Sequence, residues 1–260
     1  MNSESAATAV PPTGSTSTRC KVRLRFGKGY DLRLLSHHDL LRAFERLLRR
    51  ADLAIAHSQG FNPHPRIVFA LSLPLGVIGL EEVVEIELNH PYDLDELRQR
   101  IERKAVPGLT LSDLRSVSLK GTAQVARLVY RIAVEDSRLD ALRLAIPELL
   151  ARAECPVERA RTPGQRVDLR PSLYDLRLVE IADASTFPAL AGANRSAWHY
   201  ALEMELTPAP AGTARPEEVF ALLGQPDLAE MGSVLERTRL VLVDECPPET
   251  PERTTWQKSC

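Results

Sequence analysis

The chain has 260 residues, of which 44% are hydrophobic and 26% are charged, and its formal net charge is -2. This length accommodates one large domain or two of average size, with enough apolar residues for a core. No apolar run approaches the roughly 18 residues of a membrane-spanning helix, so we expect a globular protein without membrane contact.

The charges are distributed unevenly. Residues 19–66 contain eleven Lys and Arg against four Asp and Glu, whereas residues 80–102 contain eight acidic residues against two Arg. A local basic surface is therefore compatible with a net charge near zero.

Residues 1–18 are rich in Ser, Thr, Ala and Pro and lack the apolar stretch of a secretory signal, which predicts a disordered tail. Residues 19–26 alternate apolar and basic side chains, which predicts a strand with one face in the core. Its other face would carry an exposed basic row, formed by Lys21, Arg23 and Arg25.

Residues 36–52 show the period of an amphipathic helix. Ser36 is the expected N-cap, with Asp39 three residues later. The stripe facing the core would consist of Leu40, Phe44, Leu47, Leu48 and Ala51. The stripe facing solvent would consist of Arg42, Arg46, Arg49 and Arg50.

The following patterns predict strands over residues 67–73, 83–88 and 109–119 and a helix over residues 93–103. The second of these strands carries an acidic face, interpreted either as solvated or as a surface for a basic partner. That face consists of Glu81, Glu82, Glu85 and Glu87.

The second half repeats this order. The patterns predict strands over residues 125–134, 157–161, 174–181, 198–207 and 234–243, and helices over residues 138–153, with Pro147 inside, and 216–223. The predicted fold is α+β, with two tandem ferredoxin-like β-α-β-β-α-β units over residues 19–120 and 125–244. Residues 245–260 are predicted to be a disordered tail.

The cysteines are widely spaced and form no C-x-x-C or C-x-x-x-C-x-x-C motif: Cys20, Cys155, Cys246 and Cys260. The spacing argues against a zinc ribbon, a thioredoxin-type site or a radical-SAM iron–sulfur cluster in this chain. We expect reduced thiols and a cytoplasmic location. The chain also lacks GxGxxG, Walker, serine-nucleophile and HExxH motifs, so those enzyme classes are unsupported.

Residues 34–76 hold the densest group of polar motifs. Four of the six histidines fall within 28 residues of each other, namely His37, His38, His57 and His64. Two prolines flank His64 and fix the loop backbone, while Gly60 permits a turn. A stiff polar loop is typical of a functional site, although it also serves as a plain connection between a helix and a strand.

The motifs L-S-H-H-D-L at residues 35–40, S-Q-G-F-N-P-H-P at residues 58–65 and L-P-L-G at residues 73–76 resemble the bacterial radical-SAM-linked protein family. Looser matches continue at residues 167–171, 215–217 and 237–240. That family has a domain of unknown function, which occurs alone or fused to a radical-SAM protein. It usually has leucine at the position of His38, which leaves His37 as the better candidate site residue.

The resemblance implies an accessory module that handles substrate for a radical-SAM enzyme, often beside RNA and ribosome genes. This chain would bind no cofactor, and the partner enzyme would carry the iron–sulfur cluster and S-adenosylmethionine. We therefore expect an RNA-binding partner of such an enzyme, acting in tRNA or rRNA modification or processing. Such a protein would have no catalytic activity of its own.

Guanidinium groups suit phosphate oxygens, so the basic helix face predicts RNA contact, although a solvated helix exterior is the alternative interpretation. Phe61 and Tyr30 are the expected stacking residues. The predicted binding residues are Arg23, Arg25, Ser36, His37, Asp39, Arg42, Arg46, Arg49, Gln59, Gly60, Phe61, Asn62, His64, Arg66, Asp168 and Arg170. Asp168 and Arg170 fit equally well as an ion pair across the domain boundary.

Two alternatives remain open. His37 and His64 could act as base and acid of a metal-independent endoribonuclease, by analogy with tandem ferredoxin-like CRISPR-RNA endonucleases. A protein–protein scaffold without RNA contact could instead use the acidic strand. Metal binding with His57 or Asp39 matches no known ligand spacing, so we expect none.

Overall fold

The structure is a computed structural model that describes residues 19–29, 31–159, 166–182, 187, 198–210, 212–230 and 233–246. The predicted tail over residues 1–18, most of the tail over residues 245–260, the stacking candidate Tyr30 and the end of the strand predicted over residues 157–161 lie outside these residues. No helix in these ranges is long and apolar enough to cross a membrane.

Ten strands and four α-helices make up the described chain. In chain order they are β1 (Cys20–Lys28), α1 (His37–Arg50), β2 (Ile67–Phe69), β3 (Ile78–Leu88), α2 (Leu94–Glu102), β4 (Leu109–Val117), β5 (Val125–Val134), α3 (Leu139–Ala151), β6 (Pro156–Glu158), β7 (Arg166–Asp168), β8 (Leu173–Glu180), β9 (Tyr200–Leu206), α4 (Pro216–Leu222) and β10 (Glu236–Leu242).

Eight of the strands form one mixed sheet. The order across it is β4-β1-β3-β10-β5-β9-β8, and β2 pairs with β3 beside this path. Only the short β3–β10 contact is parallel, and it joins the two halves of the chain. Strands β6 and β7 form a separate hairpin. The predicted α+β class is confirmed as a large mixed sheet with few helices.

The helices pack over two apolar cores. The first lies between α1, α2 and the strands β1, β3 and β4, with Phe26, Phe44 and Leu48 fully buried. Phe26 and Phe44 meet edge to face with 4.9 Å between ring centroids. The second core lies between α3, α4 and strands β5, β8, β9 and β10, where Leu142 and Phe220 are buried. The apolar stripe predicted for α1 is confirmed by these contacts.

The exposed basic row predicted on β1 is wrong. Lys21, Arg23 and Arg25 are 4%, 6% and 7% exposed. The C-terminal end of β10 and the turn that follows it cover this face, and acidic side chains there neutralise the arginines. Arg23 donates to Asp244 at 2.7 Å and to Glu85 of the neighbouring strand β3 at 2.8 Å, and Arg25 donates to Glu245 at 2.5 Å. Alternation of residue types identified the two faces correctly, but it could not show that the second half covers one of them.

The solvated acidic face predicted on β3 is wrong for two of its four residues, while Glu81 and Glu87 remain partly exposed. Glu82 and Glu85 are 2% and 4% exposed. Arg237 of β10 holds Glu82 with a bidentate pair of bonds at 2.8 and 2.5 Å. We name the set formed by Lys21, Arg23, Arg25, Glu82, Glu85, Arg237, Asp244 and Glu245 the ion-pair layer. Its bonds Arg23–Asp244, Arg25–Glu245 and Arg237–Glu82 join the two halves of the chain.

Most predicted boundaries lie within a few residues of the observed ones, with three larger differences. The strand predicted over residues 67–73 ends at Phe69, and β3 begins at Ile78 rather than at residue 83. Strand β7 was not predicted, because three residues are too few for a recognisable alternation. Pro147 lies inside the single helix α3.

Candidate nucleic-acid interface

Helix α1 begins as its sequence predicts. The Ser36 hydroxyl accepts a hydrogen bond from the Asp39 N–H at 3.2 Å and donates to the Asp39 carboxylate at 2.6 Å. The bond from Ser36 lowers the pKa of Asp39. Ser36 therefore caps the helix, and the Ser36 hydroxyl and the Asp39 carboxylate bond each other within this cap.

The exposed face of α1 is basic, as predicted. Arg42, Arg46, Arg49 and Arg50 are all exposed. Arg49 follows Arg46 by three residues and Arg50 follows it by four, so the three side chains share one helix face. Arg42 lies one turn earlier, 3.8 Å from Asp39.

Beside this face, residues 57–65 form a hairpin loop. His57 pairs with Pro65 as an isolated bridge, the Ser58 N–H donates to the His64 carbonyl at 2.8 Å, and the His64 N–H donates to the Ser58 hydroxyl at 2.9 Å. Gly60 has a φ of 135°, which permits the sharp turn at the tip. Gln59, Asn62 and the fully exposed Phe61 share this tip.

The hairpin and α1 enclose a pocket of about 450 Å³. We name it the histidine pocket, and its lining residues are Glu45, Arg49, Leu53, Ile55, His57, Pro63, His64 and Pro65. The His57 Nδ1 lies 3.1 Å from the Ile55 carbonyl. Because a carbonyl can only accept, Nδ1 carries the proton, and a neutral His57 ring keeps its Nε2 lone pair for another donor.

Two more depressions continue from this pocket along α1. One of about 290 Å³ is lined by Ala43, Arg46, Arg49, Arg50 and Val106. The next, of about 460 Å³, is lined by Arg50, Ala51, Asp52, Glu96, Arg100, Arg103 and Lys104. Arg49 lines the first two depressions and Arg50 the last two, so the three lie side by side along α1, and we name them together the basic groove.

The basic groove contains six cationic side chains and three carboxylates. Arg100 uses one of the carboxylates, bonding Glu96 at 2.6 Å. Among the described residues, Arg46 and Arg49 form no ion pair within 4.0 Å. Arg50 donates only to the Lys104 carbonyl, at 2.9 Å. Positive charge is therefore left over on this surface, where it can neutralise an anionic ligand.

The structure does not bring every predicted site residue to the groove. Arg23 and Arg25 are buried in the ion-pair layer. Asp168 accepts from the N–H groups of Cys155 and Arg170 at 2.7 and 3.0 Å, and these two bonds lower its pKa. The Arg170 guanidinium donates to the carbonyls of Leu150, Arg152 and Leu173. Both residues stabilise the end of α3 within the second half of the chain, away from the groove.

The predicted pairing of His37 with His64 is not found among the described residues. The His37 ring packs against Phe69 at 5.4 Å and His38 at 5.9 Å, and His37 is absent from the lining of the histidine pocket. The imidazole that shares the pocket with His64 is His57. The Gly60 turn could have indicated this partner, because a turn there folds residue 57 back towards residue 65.

Other groove residues were also missed. The sequence places Arg50 on the exposed stripe of α1 but not in the site, and it gives no signal that singles out Glu45 on the same helix. Arg100, Arg103 and Lys104 could not be identified because the end of α2 and the residues after it reach the groove only through the tertiary fold. Arg66 lies near the hairpin base, 3.5 Å from Glu87. No three His, Cys, Asp or Glu side chains of the described ranges converge closely enough to hold a metal ion.

A family model matches residues 21–215, which include β1, α1, the hairpin and the histidine pocket. The chain belongs to this family, described as "Uncharacterized protein conserved in bacteria (DUF2344)". No curated protein matches the chain. A solved structure that matches is the crystal structure of an unknown protein from Galdieria sulphuraria, with 14% identity, 86% of this chain and 99% of that chain covered, and a TM-score of 0.25.

Proposed function

We propose that the protein binds single-stranded RNA in the basic groove and presents it to a radical-SAM enzyme that modifies tRNA or rRNA. The partner would carry the iron–sulfur cluster and S-adenosylmethionine, and this chain would supply substrate binding. The radical-SAM part of the proposal rests on the motif resemblance at residues 35–40 and 58–65. The RNA part rests on the groove.

One observation carries the RNA proposal: Arg46 and Arg49 are exposed and form no ion pair with any described residue, whereas several nearby arginines pair with carboxylates. Arg98 and Arg100 on α2, for example, pair with Glu102 and Glu96. A guanidinium without a protein carboxylate keeps its fork of donors for phosphate oxygens. Two such groups one turn apart would contact the phosphates of one strand.

The hairpin supports contact with the bases as well. Phe61 is a fully exposed aromatic ring at the tip, covered by none of the described residues, which makes it a suitable platform for stacking an unpaired base. The same hairpin and Arg49 line the histidine pocket. RNA-binding proteins that recognise single strands combine these two elements, a basic track and aromatic platforms.

We further propose that each half is a ferredoxin-like unit and that the protein acts in the cytoplasm. The strand order supports the first point. The first half has the order β4-β1-β3-β2 and the second half β10-β5-β9-β8, so in each half the first strand lies between the fourth and the third, as in a ferredoxin-like sheet. The two other roles considered from sequence have less support. His37 does not line the histidine pocket that contains His64, and Glu85 of the proposed acidic scaffold surface is buried.

The test is a crosslinking pull-down of the tagged full chain from its own cells, with captured RNA and protein both sequenced. Arg46→Ala with Arg49→Ala should lose the crosslinked RNA. The matched control is Arg143→Ala with Arg152→Ala on α3, which removes two exposed arginines that already pair with Asp140 and Glu148, and it should retain the RNA. Equal RNA recovery from both double variants would contradict the RNA proposal. If no radical-SAM enzyme is captured, the proposed partner is contradicted.

A further inference from the structure

We propose that the histidine pocket binds one unpaired guanine base of the RNA strand. The inference rests on the proposed function, because the arginines of the groove would bring the strand to the pocket. It adds a base preference to a groove that would otherwise bind any single-stranded RNA. The argument comes from the shape of the pocket, its unused polar groups and the hydrogen-bonding pattern of guanine.

The shape suits a flat heteroaromatic ring. Leu53 and Ile55 supply aliphatic surface, Pro63 and Pro65 supply two rigid rings, and the volume of about 450 Å³ falls within the range of small-molecule pockets. The hydrogen bonds between Ser58 and His64 hold the hairpin wall in place without a ligand. A preformed pocket loses less conformational entropy when it binds.

Two charged side chains that line the pocket are unpaired within the part of the chain that the structure describes. Glu45 and Arg49 lie four residues apart on α1, yet neither side chain forms an ion pair or hydrogen bond with any residue in the described ranges. Glu45 is half-buried, so its carboxylate has limited access to water. Together with His57 Nε2, the pocket offers two acceptors, the Glu45 carboxylate and the imidazole, and one strong donor, Arg49.

Guanine matches this combination better than the other bases. Its N1–H and N2 amino group are adjacent donors, which one carboxylate can accept together, and its O6 and N7 are adjacent acceptors for an arginine fork. Adenine and cytosine present an acceptor beside their amino group, which a carboxylate would repel. Uracil has a single N–H donor. Glu45 would therefore read the donor edge of guanine. Arg49, which contacts a phosphate when the strand carries no guanine, would read the acceptor edge of a guanine bound in the pocket.

The experiment measures binding of 5′-labelled 12-nucleotide RNAs by fluorescence anisotropy at fixed salt. Every position is uridine except the central one, which is guanosine, inosine or adenosine in three of the strands and uridine in the fourth. Inosine lacks only the N2 amino group, so it tests the bond to Glu45 without any change in the protein. We expect the guanine strand to bind about tenfold more tightly than the inosine or uracil strand, because a hydrogen bond to a charged group is lost.

The variant Glu45→Gln should remove most of this ratio, since glutamine replaces one of the two acceptor oxygens with an NH2 donor that would face a donor of guanine. Glu148→Gln on α3 is the matched control and should keep the ratio. If all four strands bind equally and salt weakens them equally, the guanine inference is overturned while RNA binding by the groove stands. If no strand binds, both proposals are overturned.

Discussion

Two sets of arginines show how differently the same side chain is used in this molecule. Arg23, Arg25 and Arg237 are buried where the two halves of the chain meet, and each bonds a carboxylate. Arg46 and Arg49 lie on the basic groove without a carboxylate partner. The first set holds the fold together, and the second leaves positive charge available for a ligand.

The difference comes from what covers each surface, not from the local sequence. Both sets occupy the polar side of an amphipathic element, β1 or β10 in one case and α1 in the other. The β1 side is covered by β10 and the turn after it, whereas no described element covers the α1 side. Buried and exposed arginines should therefore respond differently to substitution, the first in stability and the second in RNA affinity.

The largest effect is expected for Arg237→Ala, on the free energy of unfolding. Arg237 is fully buried and is bonded to Glu82, so its removal leaves a buried carboxylate without its main partner. Breaking a buried pair in this way costs about 3–5 kcal/mol of unfolding free energy. The matched control, Arg239→Ala on the same strand, removes an exposed arginine that lies 3.6 Å from Glu81 and should cost less than about 1 kcal/mol. Urea denaturation measures both, and equal losses would contradict the assigned roles.

The second largest effect is expected for the double variant Arg46→Ala with Arg49→Ala, on the affinity for RNA. Both side chains are exposed and alanine favours helix, so the unfolding free energy should change by less than about 1 kcal/mol. Affinity for single-stranded RNA should fall about 10- to 100-fold, because two charge-assisted contacts are lost. Lysine at both positions keeps the charge and should restore part of the affinity. A stability loss as large as that of Arg237→Ala would place these residues with the buried set.

A smaller effect is expected for Phe61→Ala. The ring is fully exposed, so its removal should leave the unfolding free energy unchanged. Stacking of a base on an aromatic ring is worth about 1–3 kcal/mol, so RNA affinity should fall about tenfold. Stacking releases no counterions, and the salt dependence should stay the same. A changed salt dependence would show that Phe61 acts by reorganising the groove.

The smallest effect is expected from Glu245→Gln in the ion-pair layer. Burial raises the pKa of Glu245, but hydrogen bonds from Arg25 and the Leu242 N–H and the charges of Arg25 and Arg115 together hold it below the ordinary value of 4.5. Because its pKa is lower in the folded than in the unfolded state, the ionised Glu245 carboxylate stabilises the fold above pH 4.5. This stabilisation is lost as the pH falls through the pKa of the folded state. The variant should be less stable by about 1 kcal/mol at pH 7. The difference between the proteins should shrink below pH 4.5; a difference independent of pH would contradict the pairing.

The sequence predicted the local features that depend on short-range chemistry. The period of α1, its Ser36 cap and the length of β5 are all observed as predicted, because capping and alternation involve neighbouring residues. The burial of Arg23 and Glu85 could not be predicted, since it depends on β10, which follows more than 100 residues later. For the same reason, the contribution of Arg103 to the groove required the tertiary fold, whereas the local turn at Gly60 could have indicated that His57 shares a pocket with His64.

The most direct test of the central claim is the salt dependence of RNA binding by the wild type and by the Arg46→Ala, Arg49→Ala variant. Anisotropy titrations of a uridine 12-mer over a range of salt concentrations give the slope of log affinity against log salt. Each phosphate neutralised on a single strand contributes about 0.7 to that slope. If both arginines bind phosphates in the groove, the variant slope should be shallower by about 1.4. Identical slopes would show that these arginines do not contact RNA and would contradict the account.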